Sequence, residues 1–139
     1  MTARFKLIFI GTCLLLYITG ALYAVFDNFV HVQGDFGDRH PLQFPTLHLH
    51  GIVSLLFFIL FGYLFATHIL PGLRGRRRRT SGWIVLGLIG ILCATVPGLY
   101  YLTSESAKNV VAVIHTTLGL LAVVPFIIHM GLRKSLGPA

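Results

Sequence analysis

Four stretches of the chain contain no Asp, Glu, Lys or Arg: Leu7–Phe26, Leu47–Leu70, Gly82–Leu102 and Val110–Leu132. Each is about 20 residues or longer, the length at which a helix rising ~1.5 Å per residue crosses a hydrocarbon layer of ~30 Å. Helix is the required form, because a segment in lipid must satisfy its own backbone hydrogen bonds. The pattern predicts helices over about 5–27, 46–70, 81–103 and 109–132. The fold class is an all-α membrane protein, a four-transmembrane-helix up-down bundle. In such a bundle the second and fourth spans lie diagonally across from one another.

Composition strengthens this reading. Of 139 residues, 55% are hydrophobic and only 11% are charged, with a mean hydropathy of +0.83. A soluble domain of this size needs more charge to cover its surface. No linker interrupts the chain, so 1–139 is expected to form a single transmembrane domain. Arg4 and Lys6 before an apolar run invite comparison with a signal peptide. The apolar core is too long for one and Leu22-Tyr23-Ala24 is a poor cleavage site, so the first span is expected to be retained. Cys13 and Cys93 lie inside spans one and three and read as small apolar packing residues. No C-x-x-C-H sequence is present, which excludes covalent c-type haem on this chain.

The net charge of +7 matters less than its placement. Basic residues precede span one (Arg4, Lys6), separate spans two and three (Arg74, Arg76, Arg77, Arg78, Arg79) and follow span four (Arg133, Lys134). The other two loops hold only Arg39 and Lys108, together with all four acids, Asp27, Asp35, Asp38 and Glu105. The positive-inside rule then puts both termini in the cytoplasm. Nucleic acid, lipid headgroups and haem propionates are rival partners for the arginine run. A topology determinant with lipid contact is the preferred reading, and the chain has too little polar surface for a nucleic-acid site. Pro71-Gly72 is expected to stop span two before these arginines. The external connection from Asp27 to Thr46, with Gly34, Gly37, Pro41 and Pro45, reads as an ordered or partly ordered loop.

Five of the seven histidines fall within spans: His48, His50 and His68 on the second, His115 and His129 on the fourth. Ionisable groups at membrane depth usually mark a site. His115 and His129 are 14 residues apart, which at ~100° per residue leaves them within about 40° of one helix face. His50 and His68 are 18 apart, about five full turns, so they also share a face. Both spans run inward, so His50 is expected to meet His115 near the outer surface and His68 to meet His129 near the inner one. Two opposed pairs of neutral imidazoles in an apolar core suit the iron of two b-type haems. Gly51, Gly62, Gly98 and Gly119 are candidates for close approach to a flat ring, and equally for helix packing. His48 is the alternative outer ligand or a propionate contact; it lies about 200° out of phase with His68. His31 and His40 read as loop residues.

Four spans, the Leu49-His50-Gly51 entry to span two and the 14-residue pair His115/His129 together give the chain a family likeness. It resembles the small cytochrome b membrane subunits that accompany formate dehydrogenases and nickel–iron hydrogenases. The resemblance implies two haem b groups, both served by the span-four histidines, with His50 as a further ligand at the start of span two. It also implies a quinone-linked role in a prokaryotic inner membrane. The external redox partner would be a multihaem c-type cytochrome or an iron–sulfur subunit. The chain departs from that family in span one, which often supplies the fourth ligand there and has no histidine here. His68 is the membrane histidine placed to substitute. A span-two/span-four arrangement resembles the haem-carrying helix pairs of the larger quinol-oxidising cytochromes b.

Pro97-Gly98 and Pro125 interrupt spans three and four; either can bend its helix, to shape a quinone pocket or to accommodate packing. Tyr17, Tyr23, Trp83, Tyr100 and Tyr101 read as interfacial anchors. Two other function classes remain open at this point: a His-rich membrane metal-binding or transport protein, and a non-redox membrane anchor subunit of a larger complex.

Overall fold

The computed structural model describes residues 2–30, 39–74 and 80–135, with side chains described as far as Gly131. Loop positions Gly34, Gly37, His31, Asp35 and Asp38, and Arg76, Arg77, Arg78 and Arg79 of the basic run, lie outside the described residues. The described residues are almost wholly helical: α1 (Ala3–Asn28), α2 (Gln43–Leu64), α3 (Leu70–Arg74), α4 (Thr80–Tyr101), α5 (Glu105–Leu121) and α6 (Val123–Ser135), with a π turn at Phe65–Ile69 joining α2 to α3. Four helical stretches are long and apolar enough to cross a membrane: Ala3–Asn28, Gln43–Arg74, Thr80–Tyr101 and Glu105–Gly131.

Local chemistry explains where these helices begin and break. The Thr2 hydroxyl accepts from the Phe5 N–H at 3.3 Å and caps α1, and Ser104 accepts from the Ala107 N–H at 3.5 Å and caps α5. Such caps answer backbone donors left over in a first helical turn. The Ser104 cap lets the fourth stretch start at Glu105, earlier than its apolar run. The same stretch is interrupted at Ala122, three residues before Pro125. The Ala122 N–H still reaches the Leu118 carbonyl (2.9 Å) and the Phe126 N–H the Ala122 carbonyl (3.2 Å). Proline's missing donor breaks the ladder between them.

Pro71-Gly72 does not stop the second stretch, which runs on to Arg74. The π turn explains why. A proline ring clashes with the carbonyl four residues before it, here Thr67. Around that residue the helix has widened, the Leu70 N–H bonding to the Phe65 carbonyl five residues back. The wider turn absorbs the proline without ending the helix.

The chain divides into two compact units, residues 1–77 and 78–139. In the first, α1 and α2 form an antiparallel hairpin whose register is read from its contacts. Phe5 packs on Tyr63 (ring centroids 4.7 Å), Phe9 on Phe57 (5.9 Å), Thr19 meets His50 (3.0 Å) and Asp27 meets Gln43 (2.7 Å). Each step along α1 is matched by an opposite step along α2. Phe9, Thr12, Thr19 and Ala24 of α1 are buried, as are Gln43, Val53 and Phe57 of α2. In the second unit α4 pairs antiparallel with α5 and α6. Gly98 lies against Val111, Thr95 against His115, Gly119 against Leu92 and Ser81 against His129.

Candidate functional site: histidines seated on hydroxyls

His50, His115 and His129 share one local arrangement. Each is half-buried, and each has its Nδ1 against a hydroxyl on the neighbouring helix. The distances are 3.0 Å from His50 to Thr19, 2.6 Å from His115 to Thr95 and 3.2 Å from His129 to Ser81. In the second unit the two hydroxyls are spaced as the two histidines are: Ser81 stands as far before Thr95 in the chain as His115 does before His129. Antiparallel pairing turns that equal spacing into two crossings, about 21 Å apart along the helix axis. Both imidazoles therefore turn toward α4, as their helical phase predicts.

Glycine makes room for two of the three rings. A Cβ at Gly20 would stand 2.9 Å from His50 Cε1, closer than real side chains allow, so the ring occupies space that only glycine leaves. Gly82 gives His129 a looser seat, with 3.5 Å from a built Cβ to Cε1. Thr19-Gly20 and Ser81-Gly82 are thus two instances of one device, a hydroxyl followed by a glycine, presented to an imidazole. Of the glycines singled out in the sequence for a flat ring or for helix packing, two lie in helix contacts and one in the open. Gly98 takes Val111, Gly119 takes Leu92, and Gly62 faces open space. The residues of the two seats lie in the histidine-free spans, as a Thr-Gly and a Ser-Gly dipeptide that no local feature marks out.

His68 is placed differently. It lies in the π turn and is exposed. The phase relation with His50 holds through α2 as far as Leu64, and the π turn then advances by less per residue than an α-helix. The face His68 presents is therefore set by that turn and not by counting along the chain from His50. It also sits five residues beyond Tyr63, past the start of α1 in the register of the hairpin. His48, two residues before His50, is exposed as well. Within the candidate set, His50 and His68 belong to the first unit, and His115 and His129 to the second.

Near the loop end of the first hairpin a further polar group gathers. Gln43, buried, donates from Nε2 to Asp27 Oδ1 at 2.7 Å. His40 stacks flat on Phe26 with ring centroids 4.4 Å apart, and its Nδ1 accepts from the Leu42 N–H. Arg39 lies over the Phe44 ring at 5.4 Å. His40 is thus an ordered stacking residue and not merely a solvated one. Cys13 and Cys93 are free thiols. Among the described residues no group of three or more His, Cys, Asp or Glu side chains gathers as a bare metal ion would require.

Compared with known proteins, the chain matches no family, no curated protein and no solved structure.

Proposed function

We propose that this chain is a di-haem b-type cytochrome membrane subunit, passing electrons across the bilayer between a quinone pool and an external redox partner. The observation that carries the reading is the hydroxyl held against Nδ1 of His50, His115 and His129. An iron-ligating histidine almost always has its other ring nitrogen held in this way, because that bond fixes the tautomer and the plane of the ring. In all three contacts the nitrogen held is Nδ1, which leaves Nε2 as the nitrogen that would meet the iron.

The residues fit the group they would hold. A b-type haem needs neutral imidazoles with fixed rings and an apolar slot. The helices carrying these histidines offer Leu, Ile, Val and Phe around them, with no carboxylate in the charge-free runs. In this reading the four spans form an up-down bundle with both termini cytoplasmic. His50 and His115 hold the outer haem, and His68 and His129 the inner one. Haem supplies a reversible one-electron carrier when bound. The chain's own residues orient the imidazoles, exclude water from around them and set their spacing across the membrane. A quinone and a multihaem c-type cytochrome or iron–sulfur subunit are the partners that complete the path.

Membrane placement rests on further observations; that the membrane is a prokaryotic inner one is part of the proposal and follows from the family resemblance. Exposed apolar residues run along every long helix, Leu7, Ile59, Ile84 and Val113 among them. Trp83 and Tyr100/Tyr101 lie near opposite ends of α4, about 26 Å apart along the axis, the separation of two interfacial belts. Hydroxyls inside the helices bond back to their own backbone, Thr12 to Ile8, Thr67 to Tyr63 and Ser54 to Gly51, as surroundings without water require.

Reduced-minus-oxidised visible spectra and a pyridine haemochrome assay of the purified chain test the proposal, with two b haems per chain expected. A colourless protein carrying zinc or copper would make it a metal-binding membrane protein instead. A colourless, metal-free protein would leave a membrane anchor subunit.

A further inference from the structure

The two threonines that meet histidines do more than fill space. A threonine hydroxyl has one proton. Thr95 Oγ1 lies 2.7 Å from the Leu92 carbonyl and 2.6 Å from His115 Nδ1. A carbonyl oxygen can only accept, so the Thr95 proton goes to Leu92. If His115 Nδ1 also lacked a proton, two acceptors would face each other at 2.6 Å. The short contact therefore requires Nδ1–H, donating to Thr95. Thr19 repeats the arrangement. Its proton goes to the Leu15 carbonyl at 2.9 Å, with Leu16 at 3.1 Å, and His50 Nδ1 lies 3.0 Å from the same oxygen. Thr19 is the most deeply buried of the residues with buried side chains, at 2% exposure, so no solvent competes for its lone pairs.

We infer that Thr19 and Thr95 are positioning residues that impose the Nδ1–H tautomer on His50 and His115, putting the ring lone pair on Nε2. Each lock is built from a side chain, a backbone carbonyl one turn back and an imidazole from the antiparallel neighbour, so it forms when the hairpin does. Neither depends on a cofactor. The consequence for haem rests on the function proposed above: the outer iron would find both axial imidazoles already in the ligating tautomer. Ser81 holds His129 by distance alone, since among the described residues nothing commits its proton to the backbone, and the inference does not extend to it.

The test is made on the full-length chain in detergent, labelled with 15N at histidine, at a pH where the imidazoles are neutral. The His50 and His115 signals are assigned by their loss in His50→Gln and His115→Gln. Ring 15N shifts report which nitrogen carries the proton, with or without haem. The wild-type chain is expected to show only Nδ1–H at both. Thr95→Val, which keeps the shape and removes the oxygen, is expected to give a mixture of tautomers at His115 and to leave His50 unchanged. Thr95→Ser is expected to restore the single tautomer; Thr19→Val and Thr19→Ser should do the same for His50. In haem-loaded protein the Val variants should weaken one haem by about 10–100-fold, the usual effect of losing such a partner, and shift one midpoint potential while leaving the other in place. An Nε2–H signal in the wild type, or an unaltered tautomer in Thr95→Val and Thr19→Val, would overturn the inference. A wild-type chain that binds no haem but shows Nδ1–H would overturn the proposed function and leave the locks standing.

Discussion

In the hairpin of α1 and α2 the end away from the connecting loop is filled by rings, with Phe5 on Tyr63 and Phe9 on Phe57. Phe57 continues the stack onto Phe61 at 5.7 Å. Nearer the loop, one imidazole, His50, lies against Thr19 and Gly20. The hairpin of α4 with α5 and α6 carries an imidazole at both ends, His115 on Thr95 and His129 on Ser81. Counting from the seated histidine nearest the loop, His50 in one hairpin and His115 in the other, the position that corresponds to His129 is Leu64, beside Tyr63. His68 stands further on, in a π turn. The two hairpins share a loop-proximal contact between an imidazole and a threonine hydroxyl and differ at the far end: one closes it with aromatic packing, the other with a second polar seat. A single polar contact per hairpin is enough to fix register, since a one-residue slip would turn the imidazole away from its hydroxyl. In the function proposed above, the second seat of the second hairpin holds a ligand of the inner haem.

The largest effects are expected from the histidines themselves. His115→Ala should remove one haem and His129→Ala the other, each halving the haemochrome signal, and His50→Ala should match His115→Ala. If His129→Ala retained both haems, the second seat of the second hairpin would have no function in binding.

Next come the two glycine seats, which predict opposite results for the same substitution. Gly20→Ala should push the His50 ring off Thr19, because the new Cβ would stand 2.9 Å from Cε1. The cost is of the order of 1–3 kcal/mol of overpacking, read as a lower thermal midpoint and a disturbed outer-haem spectrum. Gly82→Ala makes only ordinary contact, at 3.5 Å. Its expected outcome is an unchanged spectrum and a stability equal to wild type or raised by a few tenths of a kcal/mol through better helix propensity. Equal behaviour of the two variants would show that the seats are not different in kind.

A smaller effect is expected at the loop end of the first hairpin, where Gln43 is buried. Gln43→Leu removes the donor to Asp27 and should cost about 1 kcal/mol, near the usual worth of an interhelical hydrogen bond, with haem content unaltered. The smallest effect is at His48, exposed and turned about 200° from His50 around the helix. His48→Ala should retain both haems, and loss of one would make His48 and not His50 the ligand.

Much of this fold was legible before any coordinates. Four charge-free runs gave four membrane-length helices within a few residues at most ends, because hydrocarbon leaves a long apolar segment no other way to satisfy its backbone. The ends that moved were decided by local features: a side-chain cap and a backbone turn. Ser104 capped a helix before its apolar run began, and a π turn carried the second helix through Pro71. Histidine spacing likewise gave the shared face of His115 and His129, since their separation is close to a whole number of α-helical turns. The same arithmetic did not carry to His68, where the helix stops being α-helical.

Composition along the chain and the fixed pitch of a helix were enough to say where helix must form and which side chains are out of place in an apolar run. They were not enough to say which residues hold those side chains. Thr19, Gly20, Ser81, Gly82 and Thr95 sit in spans without a histidine, and nothing local distinguishes them from packing residues. Only antiparallel pairing, which sets residues 31, 48 and 20 positions apart in the chain against one another, brings each hydroxyl to an imidazole nitrogen. That pairing is a property of two helices at once, and no reading of one helix at a time contains it.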